Sequence, residues 1–528
     1  MNADLSHAQG LLRTAYPGRK IIAHLVAAQS NVPFRTFEID GSNGADLEGA
    51  DVFSVVEFGD DSSPQPPVEL VVTLPHPSIE DAPGDMDQGP PSVGASIRTA
   101  VALSPLLFEQ MKYAKDRRAE AKLPDSQFQD LPDMHPEEGL SADTERLFRE
   151  EGARKRPAIL IGFHWLEHGG AEKLAFDTVA WALAAGLRVI VVAAHNVEHR
   201  LAHRLPDSSD VSFVRMDRYI PHIRTREFLR NLVLRENVRT VHIHHCPPLF
   251  DALPAIRSVA PDVHVISSTH IVEYKRGGYV YTSGQYGKYI DTQHVISRQL
   301  GHVLHGQLGS EDGIVLGRIL EGKPDPAERL SFSDSLADRP LRILFVGRMS
   351  YQKRPVLAAM IMRSLATWSK SKKIQLDFDV VGEGPYLPVF KRLMERYDLN
   401  TVCRLHGAST DVPQLMKRAD ILILPSANEG LALVCYEAVQ AGTIPISTDV
   451  GAQSELIPAE LLVDRNPRKA LRSVRAIVDR LVTDPGFYRN AVDALLSRFD
   501  EVNSETTAHE ALSAIYESVA TPGDENGQ

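Results

Sequence analysis

Two carboxylates and two cations carry the chemistry that this sequence displays most clearly. Glu429 and Glu437 lie in the stretch Asp420–Ala438, DILILPSANEGLALVCYEA. Arg348 and Lys353 lie in Gly347-Arg348-Met349-Ser350-Tyr351-Gln352-Lys353-Arg354-Pro355, directly after the apolar run Leu341–Val346. The elements that must position them read from the same residues. Ile421-Leu422-Ile423-Leu424 is bounded by Asp420 and by Pro425-Ser426. Continuous apolarity between turn formers predicts a strand buried on both faces. Pro425, Ser426 and Asn428 break that strand into a loop that carries Glu429. Leu433, Val434, Tyr436, Glu437, Ala438 and Val439 suit a helix that stops at Gly442. Glu437 then sits about two turns beyond Glu429. Strand, polar loop and helix in that order is where open α/β sheets place their ligands. Loop amides and a helix N-terminus favour an anion such as phosphate.

Glu429-Gly430-Leu431-Ala432-Leu433-Val434-Cys435-Tyr436-Glu437-Ala438 resembles the E-x7-E signature of retaining glycosyltransferases with two Rossmann-like domains, the GT-B fold. The family it is most similar to is glycosyltransferase family 4. Ala432 replaces a glycine frequent in that signature, which narrows the room for a phosphate near its amide. The resemblance implies that Glu437 holds the nucleotide ribose hydroxyls and that Glu429 contacts the sugar. It also implies that Gly430, Leu431, Ala432 and Leu433 line the donor site. The loop after Leu341–Val346 is similar to the family's G-R-x4-K motif, which implies that Arg348 and Lys353 hold the donor diphosphate beside Gly347. The chemistry calls for such a pair. A departing nucleoside diphosphate gains negative charge as the glycosidic bond breaks, and fixed cations stabilise that charge most in the transition state. Val381-Gly382-Glu383-Gly384-Pro385 matches the family's V-G-x-G-P turn.

In the first half, Gly169-Gly170-Ala171-Glu172 resembles the G-G-A-E motif after the first strand, Ala158–Phe163. Gly169 and Gly170 let backbone approach a phosphate or acceptor closely. His270 follows the strand Val263–Ser267, and the resemblance implies that it reaches the donor sugar beside Glu429. His242 and His244 alternate onto one strand face. No H-E-x-x-H or carboxylate spacing makes a metal site of these histidines. No metal and no cofactor is expected. There is also no G-x-G-x-x-G of a dinucleotide fold.

The chain has 528 residues, enough for about two or three domains. A net charge of -12 speaks against a general nucleic-acid surface. Cys246, Cys403 and Cys435 show no paired spacing, which argues against a disulfide scaffold and fits a reducing compartment. No apolar run approaches the ~20 residues of a spanning helix. The N-terminus lacks the pattern of a signal peptide. The expectation is a cytoplasmic protein, at the inner face of a membrane if its acceptor is lipid-linked.

Four regions follow from texture. Residues 1–150 form an accessory region: strand-like runs at Val52–Val56 and Leu70–Leu74, linker composition at Asp81–Val93 and Pro124–Ser141, and one helical stretch over Ala95–Lys122. It either aids acceptor binding or assembly, or is a structural appendage. Residues 151–335 alternate strand and helix, as an N-terminal Rossmann-like acceptor domain does. Tyr274–Tyr289, rich in tyrosine, reads as a mobile loop over the cleft. Residues 336–503 continue that alternation, and the resemblance implies that they form the donor domain. Residues 504–528 hold a last helix, which the resemblance implies crosses back to the first domain. Together these readings predict retaining transfer of a sugar from a nucleotide-diphosphate sugar to a carbohydrate or lipid-linked acceptor. Cell-envelope or exported polysaccharide assembly is a common role in the family. A nucleotide-sugar 2-epimerase or phosphorylase, or a non-catalytic sugar-nucleotide binder, would share the fold.

Overall fold

The protein is represented by a computed structural model that describes residues 2–27, 36–39, 52–63, 65–74, 93–123, 140–167, 170–274, 277–309, 311–319, 339–407 and 410–520. Gly169 and nearly all of the two linker stretches, Asp81–Val93 and Pro124–Ser141, lie outside them, as do residues 320–338.

Three sheets organise the chain. The first has four strands: β1 (Lys20–Ala27), β2 (Thr36–Glu38), β3 (Val52–Gly59) and β4 (Val68–Leu74), in the order β2-β4-β1-β3. It is mixed, since β1 runs parallel to β4 and antiparallel to β3. The second sheet contains β5 (Ala158–Phe163), β6 (Arg188–Ala193), β7 (Val211–Val214), β8 (Val238–His244), β9 (His264–Thr269), β10 (Thr292–Val295) and β11 (Ile314–Leu316). Its order is β11-β10-β9-β8-β5-β6-β7 and every pairing is parallel. The third contains β12 (Leu341–Val346), β13 (Leu376–Val381), β14 (Cys403–His406), β15 (Ile421–Leu424), β16 (Ile444–Thr448) and β17 (Leu462–Val463). It is also all parallel, in the order β14-β13-β12-β15-β16-β17.

Parallel sheets need cover on both faces, and their strands are correspondingly apolar. All six residues of β5 and all four of β15 are buried. Each of the two parallel sheets is doubly wound, so its strand order reverses once. The reversal falls between β5 and β8 in the second sheet and between β12 and β15 in the third. Loops leaving the two strands at a reversal diverge and open a crevice at their carboxyl ends.

Among the described residues the accessory region has three pieces with separate attachments; the last, helix Ala142–Ala153, runs across the expected boundary at 150 and packs on helix Thr225–Arg235, with Phe148 against Leu234 and Val259. Helix Asn2–Ala15 and the first sheet share one core with β5, β6 and β8, in which Leu12 and Leu70 pack with Leu160 and Phe228. The stretch Ala95–Lys122 is two helices, Ala95–Leu103 and Pro105–Glu120, instead of the single helical run expected from its composition. Ser104 ends the first in an extended conformation and caps the second, whose first residue is Pro105. A proline suits that first position and cannot continue the preceding turn. These two helices pack on the third sheet's helices: Val93 N donates to Pro385 O at 3.1 Å, and Arg396 donates to Ala102 O at 2.7 Å.

Tyr274–Tyr289 is also different from its expectation. A helix occupies Tyr279–Gln285 and a single 3-10 turn Gly287–Tyr289. Val280, Tyr281 and Ser283 are buried there, and the Ser283 hydroxyl donates to Gln293 Oε1 and shares a hydrogen bond with the Ser267 hydroxyl. The last helix, Ala508–Ala520, packs on helix Gly170–Ala184 of the first half, with the Tyr516 hydroxyl 2.6 Å from His242 Nδ1. Arg318 fixes the crossing. It is fully buried, pairs with Glu455 at 2.7 Å and with Glu505, and exchanges backbone hydrogen bonds with Thr506 and Ala508. Glu455 in turn accepts from the amides of Arg298 and Gln299 at the start of helix Arg298–Leu308. Among the described residues no helix is long and apolar enough to cross a membrane.

Candidate functional site

The loops after β12 and β15 leave adjacent strands at the reversal point of the third sheet, so the two motifs meet there. Two hydrogen bonds stitch them together: Ala427 N to Gln352 O at 2.7 Å and Gln352 Nε2 to Asn428 O at 3.1 Å. Lys353 Nζ lies 2.7 Å from Glu429 Oε1, and both side chains are mostly buried. The lysine stem runs over Gly347, where a Cβ would come within 3.2 Å of Lys353 Cγ. Gly382 has φ +151°, and a Cβ there would fall 1.9 Å from Gly347 O. Only glycine fits that approach.

The facing half closes on the same place. Asn428 Nδ2 donates to Val272 O and the Tyr274 hydroxyl to Ala427 O, each at 2.7 Å. A Cβ on Gly430 would lie 1.7 Å from His270 O, so backbone from the two halves touches there. His270 is buried, and its Nε2 has no hydrogen-bond partner. Burial holds its imidazole well below the ordinary histidine value, so it is neutral at pH 7. The Ser426 hydroxyl, in the Glu429 loop, is likewise buried and unpartnered.

The other sequence-predicted residues sit around this centre. Glu437, on helix Leu433–Gln440, is exposed toward the cleft. The surrounding protein still removes enough water to raise its carboxyl, an effect that Lys173 of the facing half offsets. Arg348 is exposed and faces Glu172, whose carboxyl is raised by burial despite a hydrogen bond from Trp165 and the nearby Arg348 charge. Glu172 and Lys173 belong to the first turn of helix Gly170–Ala184, so these two side chains face Arg348 and Glu437 across the cleft. Leu431 and Ala432 are buried, and Ala432 N already donates to Gln453 Oε1 at 3.3 Å. Leu433 opens the helix. Among the described residues no group of three His, Cys, Asp or Glu is placed to hold a metal ion.

Residues 327–489 match the family described as glycosyl transferases group 1. The matched stretch covers less than a third of the chain. It includes both the Arg348–Lys353 and the Glu429–Glu437 motifs. A putative glycosyltransferase of Bacillus subtilis is 28% identical over 188 residues, 34% of this chain and 46% of that protein. A human phosphatidylinositol N-acetylglucosaminyltransferase component is 29% identical over 182 residues, 33% of this chain and 35% of that one. The chain thus spans under half the length of these curated relatives. A Rickettsia africae glycosyltransferase structure superposes with a TM-score of 0.52 at 18% identity, covering 71% of this chain and all of that one, and it shares the two-domain GT-B fold.

Several neighbours of the site carry no signal in the sequence. Tyr274 begins the stretch expected over the cleft, but no residue pattern marks its hydroxyl or the Val272 carbonyl as the groups that reach the Glu429 loop. Glu109, from helix Pro105–Glu120, reaches Arg354 beside Lys353 at 2.8 Å. The histidines form a buried chain instead of a ligand set: Tyr516, His242, Ser268, His294 and Gly317 O are linked in succession by hydrogen bonds of 2.6–3.1 Å.

These buried imidazoles make stability depend on pH. Burial depresses His242, His244 and His270 well below 6.5, His245 to about 3 and His294 to about 4. In the unfolded chain each titrates near about 6.5. Below that pH the unfolded chain binds protons that the folded one refuses, so stability falls as pH drops. Glu109, Glu172 and Glu437 have raised values and act in the opposite sense, but are fewer. The melting temperature is therefore expected to fall steadily from about pH 7.5 to about pH 5. A flat or rising profile would show that these imidazoles are not held neutral.

Proposed function

We propose that this cleft transfers a sugar, with retention, from a nucleotide-diphosphate sugar to an acceptor hydroxyl. The observation that carries the reading is the Lys353–Glu429 pair at the reversal point of the third sheet, 2.7 Å apart and opposite neutral His270. Lys353 and Arg348 take the diphosphate without a metal, beside Gly347 and Gly382. Glu437 takes the ribose hydroxyls. Glu429 and His270 face the sugar, within a loop lined by the Gly430 and Leu431 amides. In the transfer the acceptor oxygen bonds to the anomeric carbon while the bond from that carbon to the phosphate oxygen breaks. The acceptor proton passes to that phosphate oxygen on the same face, which gives retention. The human relative is named for a phosphatidylinositol N-acetylglucosaminyltransferase, so a nucleotide-linked N-acetylglucosamine heads the donors to test.

The two carboxylates separate the reading into parts. Glu437→Ala is expected to weaken binding of a bare nucleoside diphosphate by about 1.5–3 kcal/mol, the worth of hydrogen bonds to a charged group. Glu429→Gln is expected to leave that binding nearly intact and to depress turnover. Calorimetric titration paired with turnover on the whole sugar nucleotide reads both. Equal loss of nucleotide affinity in the two variants, or no loss in either, contradicts the division.

A further inference from the structure

A cavity of about 680 Å³ opens beside Glu429 on the flank away from the diphosphate clamp. The sheet order fixes that side. Gly347, Lys353 and Gly382 follow β12 and β13, whereas the cavity is lined by the loops after β15, β16 and β17. Its volume lies within the roughly 300–1,000 Å³ of small-molecule sites. Three separate parts of the chain wall it. The donor half supplies Glu429, Asp449 and Arg465, the facing half Tyr274, and the accessory helix Pro105–Glu120 supplies Tyr113 and Arg117. That helix lies outside the matched stretch 327–489.

We propose that this cavity is the acceptor site, that it takes a neutral polyhydroxylated acceptor, and that the accessory helix is its specificity wall. This rests on the donor reading above for the meaning of Glu429, but not for the chemistry of the cavity. The lining carries carboxylates on Glu120, Glu429, Asp449 and Asp464. Arg117 and Arg465 lie among them, Lys353 pairs with Glu429, and Lys469 pairs with Asp464. Arg117 and Arg465 both pair with Glu120, so among the described lining residues four carboxylates face two guanidinium groups and no cation is in surplus for a phosphate. Arg465 is committed further: it pairs with Glu120, lies 4.6 Å from the Tyr274 ring centre and hydrogen-bonds the Tyr274 hydroxyl. Alternating carboxylates, guanidinium groups and tyrosine hydroxyls match a sugar, each of whose hydroxyls both donates and accepts.

Saturation-transfer NMR with a panel of neutral sugars (glucose, N-acetylglucosamine, maltose and cellobiose), each beside glucose 1-phosphate as the charged control, tests this. Nucleoside diphosphate affinity is measured separately on the same samples. At least one neutral sugar is expected to bind the wild-type chain more tightly than glucose 1-phosphate. Its affinity is expected to fall at least tenfold in Arg117→Ala/Tyr113→Ala. Three results would overturn the proposal: no neutral sugar binds, the charged sugar binds better, or the double variant binds sugar as the wild type does. Circular dichroism of the variant excludes misfolding, and Arg117→Lys, which keeps the charge but not the planar fork, is expected to fall between the two. Failure of the nucleotide titration alone would contradict the donor reading and leave the sugar result to stand by itself.

Discussion

Lys353→Ala is expected to lower turnover by a factor corresponding to about 2–4 kcal/mol, with donor held at saturation, as removal of one preorganised charge stabiliser does. The substitution has two expected consequences. In the proposed function it removes the cation that meets the leaving diphosphate. It also strips Glu429, which is 7% exposed at its side chain, of an ion-pair partner 2.7 Å away. Because charge on the leaving group grows as the bond breaks, the loss should fall on kcat more than on donor binding. Lys353→Arg keeps the charge, yet the stem crosses Gly347 so closely that a Cβ there would lie 3.2 Å from Lys353 Cγ. The bulkier head is therefore expected to recover only part of the activity. Near-normal turnover of a folded Lys353→Ala variant at saturating donor contradicts the clamp.

The second large effect concerns stability and comes from the accessory helix. Glu109 and Arg354 are each about 1% exposed, with Arg354 Nε donating to Glu109 Oε2 at 2.8 Å and Arg354 Nη1 to Arg465 O at 2.8 Å. Arg354 holds φ +49°, a left-handed conformation that costs a non-glycine residue energy. It directly follows Lys353 and begins helix Pro355–Lys372. Tyr351, two residues before Lys353, donates to Asp116 on the same accessory helix at 2.7 Å. Breaking a buried pair from one side leaves an uncompensated charge and costs about 3–5 kcal/mol. Glu109→Ala is expected to lose that much in denaturant unfolding. Glu109→Ala/Arg354→Gly removes the stranded cation and the left-handed strain together, and is expected to recover a substantial part. A loss for Glu109→Ala near the roughly ±0.5 kcal/mol of surface positions would contradict a structural latch here.

Much of the fold was legible because the relevant physics is local. Ile421–Leu424 had to be a doubly buried strand, and the loop and helix after it carry Glu429 and Glu437 as their sequence implies. The two parallel sheets follow from the same alternation. What escaped the sequence depended on partners far along the chain. Tyr279–Gln285 is poor in helix formers, with Val, Thr, Ser, Gly and two Tyr among its residues. Burial of Val280, Tyr281 and Ser283 overrides that propensity, as tertiary packing commonly does. Ser104-Pro105 was a readable break, since serine caps and proline begins helices, but the apolar pattern across it suggested continuity. In the sequence Glu109 is one charge among many on a helix. Its partner is 245 residues away, and nothing short of the fold brings the two together. The same holds for the accessory region as a whole, whose pieces attach to different halves.

Whether the cleft uses a nucleotide sugar as donor and passes on the sugar with retention is decided by one assay. The protein is incubated with a panel of nucleotide sugars and the acceptors that bind it. Released nucleoside diphosphate is measured, and the anomeric configuration of the product is read by proton NMR. Nucleotide release is expected from at least one donor, abolished in Glu429→Gln, with the product anomer matching that of the donor. Release from no donor, or an inverted product, would contradict the proposed transfer.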